Sequence, residues 1–426
     1  MTTMDDLSGA QRASVKRWQW GMLALGLTCE LFLAADWYGV AAALPFLAPE
    51  LGLSEAQAGL AQGIFALTYG LGMLVWSALS RDWSAKKMLI VGLFGVGVGM
   101  VLQVFVQNFT QLLVLRLVIG FFDAGVFIGV MKLLLAWFPP ARRGLIVGLI
   151  LAACSLAITL DFSLGIPLTI AYGWRVFFAA LAVGTLVAGA LVVAFARPGP
   201  AALGIEGFRW KGETAETGEV SLAAIFRTRW VYVGGFAIAA CTFAIAGTAT
   251  WVVPAFITLQ GMPESSAALI GTLMGLSQVV FLVIGGRMAD AGDKLRLIRV
   301  STVIAVGVAL MFWVATVEPL PFAMLVLMAA LSGAAVLCGG AIFALMSEAY
   351  PAKLGPAAIG MAEVFGILSS FLAPTMMGII IGGSGGFSAA FLAFAGVEAL
   401  FLVALCALTL RRVSPAAEGE PEAAAA

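Results

Sequence analysis

Ionisable side chains interrupt long apolar stretches of this chain of 426 residues. A charged side chain in hydrocarbon is costly unless it is paired or lines water, so each of them is a candidate for carrying charge through a membrane. The candidates for a substrate and proton pathway are Glu30, Asp36, Arg116, Asp123, Lys132, Asp161 and Glu363.

Glu30 and Asp123 lie near the middle of their apolar stretches and are the strongest of these candidates. A carboxylate in apolar surroundings can bind and release a proton near neutral pH. Arg116 and Asp123 are seven residues apart. On a helix this places them on nearly one face and about 10 Å apart along the axis. They can therefore share a water-filled space without bonding directly.

Each candidate also has a structural interpretation. Arg116 can pack and cap near one surface, Asp36 can be solvated at the outer mouth, and Lys132 can extend its side chain to the cytoplasmic interface. Glu398 lies in the last apolar stretch, which favours a structural role.

Composition places most of the chain in a membrane. Hydrophobic residues make up 62% and charged residues 11%, and the mean hydropathy is +1.06. Soluble domains carry about 25% charge. The 23 basic residues equal the 23 acidic ones, so no basic surplus indicates nucleic-acid binding.

The residue types needed for enzyme chemistry are missing or scattered. The chain has no histidine, which excludes histidine metal sites and Ser-His-Asp catalysis. Its five cysteines are dispersed through apolar stretches and form no metal or disulfide pattern, so we interpret them as packing residues. The sequence predicts neither an enzyme nor a cofactor.

Twelve apolar stretches are each long enough to cross about 30 Å of hydrocarbon as a helix. We therefore predict an all-α membrane protein with six helices on each side of a polar segment. The predicted order is a cytoplasmic segment at 1–17, a bundle at 18–196, a linker at 197–228, a bundle at 229–411 and a disordered tail at 412–426. The predicted spans are 18–47, 55–79, 87–107, 111–136, 144–170, 174–196, 229–258, 266–286, 297–316, 321–348, 355–381 and 386–410.

Basic residues predict the orientation of these spans. Lysines and arginines fall on alternate connections, while the opposite connections carry Glu50, Glu55, Glu264 and Glu318. Cytoplasmic connections are the basic ones, so both termini and the linker are predicted to be cytoplasmic. We expect a monomer in the inner membrane of a bacterium.

The two halves of the chain repeat each other. Residues 137–144 return as residues 349–355, about 210 positions later, with a similar aromatic-proline-basic-glycine order. Upstream of each copy lies a second matching pair, around Arg81 and around Arg287. A helical unit present twice in a membrane chain is typical of transporters whose halves move against each other.

These motifs resemble the major facilitator superfamily over nearly the whole chain. Residues 286–296 follow its loop signature between helices 2 and 3, and residues 348–351 resemble its acidic-aromatic-proline end of helix 10. Arg116 with Gly120 resembles its pattern on helix 4. The first two helices resemble the anion–cation symporter and related small-solute branches.

The resemblance implies two pseudo-symmetric six-helix bundles around a cavity formed by helices 1, 4, 7 and 10. It also implies a cytoplasmic gate, although Arg81 and Asp82 stand in the reverse of the family's order in the first half. The residues assigned to this gate and its loop motif are Arg81, Asp82, Lys86, Lys87, Arg142, Arg143, Gly286, Asp290, Lys294, Arg296 and Glu348.

The predicted function is secondary transport of a small organic solute by alternating access, coupled to protons. The acidic residues of the first half favour a cation or a neutral solute, whereas Arg116 and Lys132 keep an organic anion open. Two alternatives remain at this point. One is an efflux antiporter for drugs or metabolites, and the other is a non-transporting sensor or assembly factor of the same fold.

Overall fold

A computed structural model describes residues 3–211, 225–350 and 354–410, without the side chains of six residues at 141, 143, 144, 290, 291 and 356. Within these ranges, twelve helices are long and apolar enough to cross a membrane. Helices suit this setting because they satisfy every backbone polar group internally. The predicted all-helical membrane fold is confirmed.

The helices are numbered α1 to α12 in chain order, and two of them contain an irregular turn. The first six are α1 Gly9–Glu50, α2 Glu55–Leu79, α3 Ala85–Gln103, α4 Phe109–Trp137, α5 Arg143–Leu160 continued through a π turn at Asp161–Gly165 into Ile166–Tyr172, and α6 Trp174–Phe195. The last six are α7 Trp230–Leu259, α8 Glu264–Ala291, α9 Lys294–Val317, α10 Phe322–Ser332 continued through a 3-10 turn at Gly333–Val336 into Gly339–Ala349, α11 Gly355–Gly382 and α12 Gly386–Leu410.

Helix α1 begins earlier than its apolar stretch. Ser8 accepts a hydrogen bond from the backbone N–H of Gln11, and the Gln11 side chain accepts one from the backbone of Ser8. This capping box satisfies two N–H groups that a helix start leaves free, so the helix extends into the polar segment. The predicted tail and most of the predicted linker lie outside the described residues.

Helices α1–α6 and α7–α12 form two bundles that meet along three pairs of helices. Helix α2 packs along α11, α5 along α8, and α1 contacts α7. These pairs follow the repeat. The second helix of each bundle packs on the fifth helix of the other, and the first helices of the two bundles contact each other.

Glycines show where these pairs approach most closely. A Cβ on Gly59 of α2 would lie 2.2 Å from the Pro374 oxygen of α11, and one on Gly275 of α8 would lie 2.6 Å from the Thr159 nitrogen of α5. By contrast, a Cβ on Gly148 of α5 or on Gly360 of α11 would meet nothing within 4 Å. The bundles are thus pressed together at the end near Gly59, which we call the closed end. The opposite end, where the Cβ positions of Gly148 and Gly360 meet no atom, carries the basic loops, and we call it the basic end.

Candidate functional site

Arg116 joins three helices in the interior of the first bundle. Its side chain is 0% exposed. The guanidinium donates to the carbonyl oxygens of Asp36 at 2.9 Å, Trp37 at 3.0 Å and Ala61 at 3.3 Å. It also lies over the ring of Phe65, 4.4 Å from the ring centre. Arg116 of α4 therefore holds α1 and α2 through backbone groups, and these contacts use three of its five N–H donors.

Two carboxyl groups lie near this guanidinium without a full set of partners. Asp36 is buried in α1 and accepts a hydrogen bond from the Thr185 hydroxyl of α6 at 3.0 Å, while its second oxygen has no partner among the described residues. Asp123 is buried about two turns after Arg116 on nearly the same face of α4. Neither of its carboxyl oxygens has a hydrogen-bond partner among the described residues. Asp123 lies within electrostatic range of Asp36, Arg116 and Glu30. Asp36, Arg116 and Asp123 form what we call the Arg116 cluster.

Glu30 lies next to this cluster and contacts a residue that the sequence did not assign to a site. The Cys154 thiol of α5 donates to one Glu30 oxygen at 3.1 Å. The other oxygen has no partner in the described part of the chain, and the side chain is only 1% exposed. We had interpreted Cys154 as a packing residue, and no spacing in the sequence connects it with Glu30.

Glu363 faces the same region from the second bundle. It lies on α11, and part of its side chain is exposed. The Tyr69 side chain of α2 is within electrostatic range of Glu30, Cys154, Glu363 and Asp123. Tyr69 is therefore near acidic side chains of both bundles.

An aromatic group surrounds Tyr69. The ring centre of Tyr69 lies 5.1 Å from that of Trp37 and 6.3 Å from that of Phe127, and Trp37 lies 4.7 Å from Phe65. The sequence could not single out these rings because aromatic residues make up 11% of the whole chain. Their contacts join α1, α2 and α4 beside the acids.

Asp161 lies at the start of the π turn in α5. It is buried, one of its oxygens has no described partner, and it lies within electrostatic range of Asp36. Single π turns inside α-helices are frequent at functional sites because they redirect side chains. The structure therefore brings Glu30, Asp36, Arg116, Asp123 and Asp161 together in the first bundle.

Lys132 is not part of this group. Its ammonium group donates to the carbonyl oxygens of Ser80 at 2.5 Å and Trp83 at 2.7 Å, and its side chain is exposed at the basic end. Ser80 ends α2, where a helix leaves carbonyl oxygens without internal partners, and Trp83 lies in the turn before α3. The interpretation that fits this contact is a brace between α4 and the turn after α2.

Glu398 is buried in α12, away from the Arg116 cluster. Both of its oxygens lack a partner among the described residues, and it lies within electrostatic range of Cys338. The structural role expected for Glu398 stays a prediction.

The residues assigned to the gate make contacts within their own bundles. Lys294 pairs with Glu348 at 3.0 Å, which joins the start of α9 to the end of α10. Lys86 donates to the Val193 carbonyl at 2.7 Å, and Lys87 lies 3.8 Å from the ring centre of Trp83. Arg81, Asp82, Arg142 and Arg296 are exposed, and a Cβ on Gly286 would meet nothing within 4 Å. The side chains of Arg143 and Asp290 lie outside the described residues.

The Lys294–Glu348 pair at the basic end stays within the second bundle, and the Glu50–Arg175 pair at the closed end stays within the first. The contacts of Lys86, Lys294 and Glu348 thus brace their own bundles.

Two six-helix bundles in a membrane, with charged groups enclosed between and within them, define a transporter. The arrangement can hold a proton or the charge of a solute inside the membrane, and the bundles are in close contact at the closed end. The sequence pattern of the Major Facilitator Superfamily matches residues 26–320 and 236–426. The chain belongs to this family.

Known relatives agree with this assignment. The chain is 26% identical over 394 residues to a protein of Agrobacterium vitis named for tartrate transport, covering 86% of this chain and 84% of that one. It is 24% identical over 267 residues to the hexuronate transporter of Bacillus subtilis (strain 168), covering 61% of this chain and 63% of that one. The family and these relatives are transporters rather than enzymes, as the sequence predicts.

A solved structure shows the same fold. The bacterial homologue of the human lysosomal transporter Spinster, in an inward-facing and unoccupied conformation, superposes with a TM-score of 0.72 at 16% identity. The match covers 94% of this chain and 97% of that one. This structural match concerns the fold, whereas the family and the relatives named for transport make this protein an integral membrane transporter of small molecules.

Proposed function

We propose that the protein is a secondary transporter that moves a small organic solute by alternating access and couples this movement to protons. The single observation that carries the proposal is the Arg116 cluster. Asp123 has no partner for either oxygen among the described residues, although it is buried within range of Asp36 and Arg116. A buried ionised carboxyl without hydrogen bonds is costly, which favours proton uptake while the site is closed to water.

Release of that proton requires access to water or a nearby cation. Asp123 lies on α4, whereas Asp36 and Glu30 lie on α1, so a movement of α4 against α1 changes the distances from the Asp123 carboxyl to these two carboxyl groups. Approach of these carboxyl groups favours the protonated form of Asp123, and their withdrawal favours the ionised form. Alternation between the two openings then couples proton binding to the state of the transporter.

The predicted orientation places the basic end in the cytoplasm of a bacterium. In that orientation the closed end faces outwards and the space between the bundles opens to the cytoplasm. We propose that the protein works in this orientation in the inner membrane, as a monomer with both termini cytoplasmic. The division into two transporting bundles with a linker at 197–228 belongs to the same proposal.

The relatives named for tartrate and hexuronate transport support a small, polar organic solute. Identities of 24–26% do not carry the charge of the solute across to this chain. That property depends on the side chains around Tyr69.

The test uses protein reconstituted in liposomes with a pH-sensitive dye inside. The probes are tartrate, D-glucuronate, choline and ethanolamine, each added with and without an imposed proton gradient. We expect at least one probe to move protons with it and to accumulate uphill. In Asp123→Asn, uphill accumulation should stop while exchange of solute for solute continues.

Glu264→Gln is the matched control, because Glu264 is an exposed carboxyl at the start of α8. It should accumulate solute as the unmodified protein does. Full uphill accumulation in Asp123→Asn would refute the proposed coupling.

A further inference from the structure

The cations that could bind an anionic solute are already engaged. The guanidinium of Arg116 is enclosed and bound to three carbonyl oxygens, and the ammonium group of Lys132 is bound to two at the basic end. The charged side chains that act on Tyr69 are Glu30, Glu363 and Asp123, all of them acidic. An organic anion entering this region would meet carboxyl groups, while the neighbouring Arg116 guanidinium is enclosed and already holds three carbonyl oxygens, which is unfavourable for the anion at low dielectric.

Aromatic rings add to the negative character of the same region. Trp37 is seven residues after Glu30, so the two side chains lie on nearly one face of α1. Trp37 is half-buried and contacts Tyr69, which in turn contacts Phe127. The faces of such rings attract cations, and groups of rings with carboxylates recognise ammonium ligands. Arg116 lies over the Phe65 ring, whereas no described cation lies over Trp37, Tyr69 or Phe127.

Glu30 supplies a polar atom that needs a partner. Its second oxygen is buried and has none among the described residues, while the first accepts from Cys154. Glu363 supplies a second carboxyl from the other bundle, and its partial exposure leaves it open to a solute.

We propose that the transported solute carries an ammonium group, which binds beside Tyr69 between Glu30 of the first bundle and Glu363 of the second. This rests on the proposed function and names the substrate class of that site. A cation in this position is attracted to both bundles, so its binding favours the states in which they approach each other. A ligand shifts a conformational equilibrium only through such a difference in affinity between states.

The test measures ligand binding to the purified full chain by thermal unfolding at one fixed pH. The ammonium probes are choline and ethanolamine, and 3,3-dimethylbutan-1-ol is the neutral counterpart of choline with nearly the same shape. D-Glucuronate and tartrate are the acidic probes. We expect the ammonium probes to raise the unfolding temperature and the neutral and acidic probes to leave it unchanged.

Charge at position 363 should carry much of this binding. In Glu363→Gln we expect the Kd for choline to rise by about 10-fold or more, the scale of a lost interaction with a desolvated cation. Glu30→Gln should act in the same direction and serves as the second variant if Glu363→Gln does not fold. Glu264→Gln is the control and should bind choline as the unmodified protein does.

Three results would overturn the inference. They are binding of D-glucuronate or tartrate in place of the ammonium probes, choline binding that survives both carboxyl substitutions, and silence from both ammonium probes. If an acidic probe moves protons in liposomes, the proposal of an ammonium solute is refuted, while the proposed proton-coupled transport is retained. The proposed proton coupling is tested separately, and it is refuted if Asp123→Asn still accumulates solute uphill.

Discussion

A single methyl group on Gly59 should open the closed end of the transporter. Gly59 of α2 packs directly on the backbone of α11, and the Cβ of Gly59→Ala would lie 2.2 Å from the Pro374 oxygen. Backbone cannot turn aside as a flexible side chain can, so the two helices must separate. Because α2 and α11 belong to different bundles, their separation is the opening movement itself.

The size of the effect follows from this distance. Ordinary contact begins at 3.4 Å, so the helices must move apart by about 1.2 Å at this point. Overpacking of this kind costs about 1–3 kcal/mol. The cost falls only on the state in which the closed end is shut, so the equilibrium should shift about 5–150-fold towards the opposite opening.

Distances between spin labels in a cysteine-free background measure this shift. One pair, at Ser54 and Ser384, reports on the closed end, and another, at Ser77 and Ser347, reports on the basic end; all four positions are exposed. In Gly59→Ala we expect the first distance to increase and the second to decrease.

Gly360→Ala is the matched control, because the same methyl group on α11 would meet nothing within 4 Å. Both label distances should stay unchanged in this variant. Identical distance distributions in Gly59→Ala and Gly360→Ala, with both proteins folded, would refute the inference that contact of α2 with α11 closes this end.

Two other substitutions separate the roles of the basic side chains. Arg116→Met removes a buried cation from three carbonyl oxygens and two nearby carboxyl groups, so we expect a loss of about 3–5 kcal/mol in the free energy of unfolding, seen as an early transition in denaturant titration; an unchanged transition would contradict the assigned contacts. Lys132→Met removes only an exposed brace, so we expect a loss of about 1 kcal/mol or less and an unchanged Kd for the transported probe. A large rise in that Kd would instead place Lys132 in the solute pathway.

The fold follows from the sequence because hydrocarbon imposes a simple requirement. Each span needs about 20 apolar residues, and this length is visible in every one of the twelve stretches. The ends of helices follow local rules as well, but these compete with hydropathy. Ser8 and Gln11 start α1 within the polar segment, before the apolar stretch begins.

The candidate site could be predicted only in part. The position of Glu30, Arg116 and Asp123 within apolar stretches identified them as candidates. A charged side chain in lipid is costly, so it can be singled out before its contacts are known. The partners themselves come from helix packing across long separations in the chain. Cys154 is 124 residues from Glu30, and the carbonyl of Asp36 is 80 residues from Arg116. No local pattern encodes such pairs, and the same limit applies to the contact of Lys132 with Ser80.

The chemistry of the two bundles differs although their helices repeat. The position that corresponds to Asp123 in the second half of the repeat, about 210 residues later, is near Gly333. There α10 is interrupted by a 3-10 turn, and the Gly333 N–H donates to the Ser277 hydroxyl of α8 at 2.9 Å. The first bundle therefore has buried charge at the position where the second has a broken helix held by a neutral hydrogen bond.

Helix α2 connects this charge to the contact between the bundles. One of its faces carries Ala61, Phe65 and Tyr69 at intervals of four residues, and these meet Arg116 and the aromatic group. Another face carries Gly59 and Gly63, which are pressed on α11. A rotation or tilt of α2 that follows a change at Arg116 must also change its fit against α11. The same helix therefore contacts the proposed proton site and forms the closed end, so the proposed coupling between them needs to cross only the width of one helix.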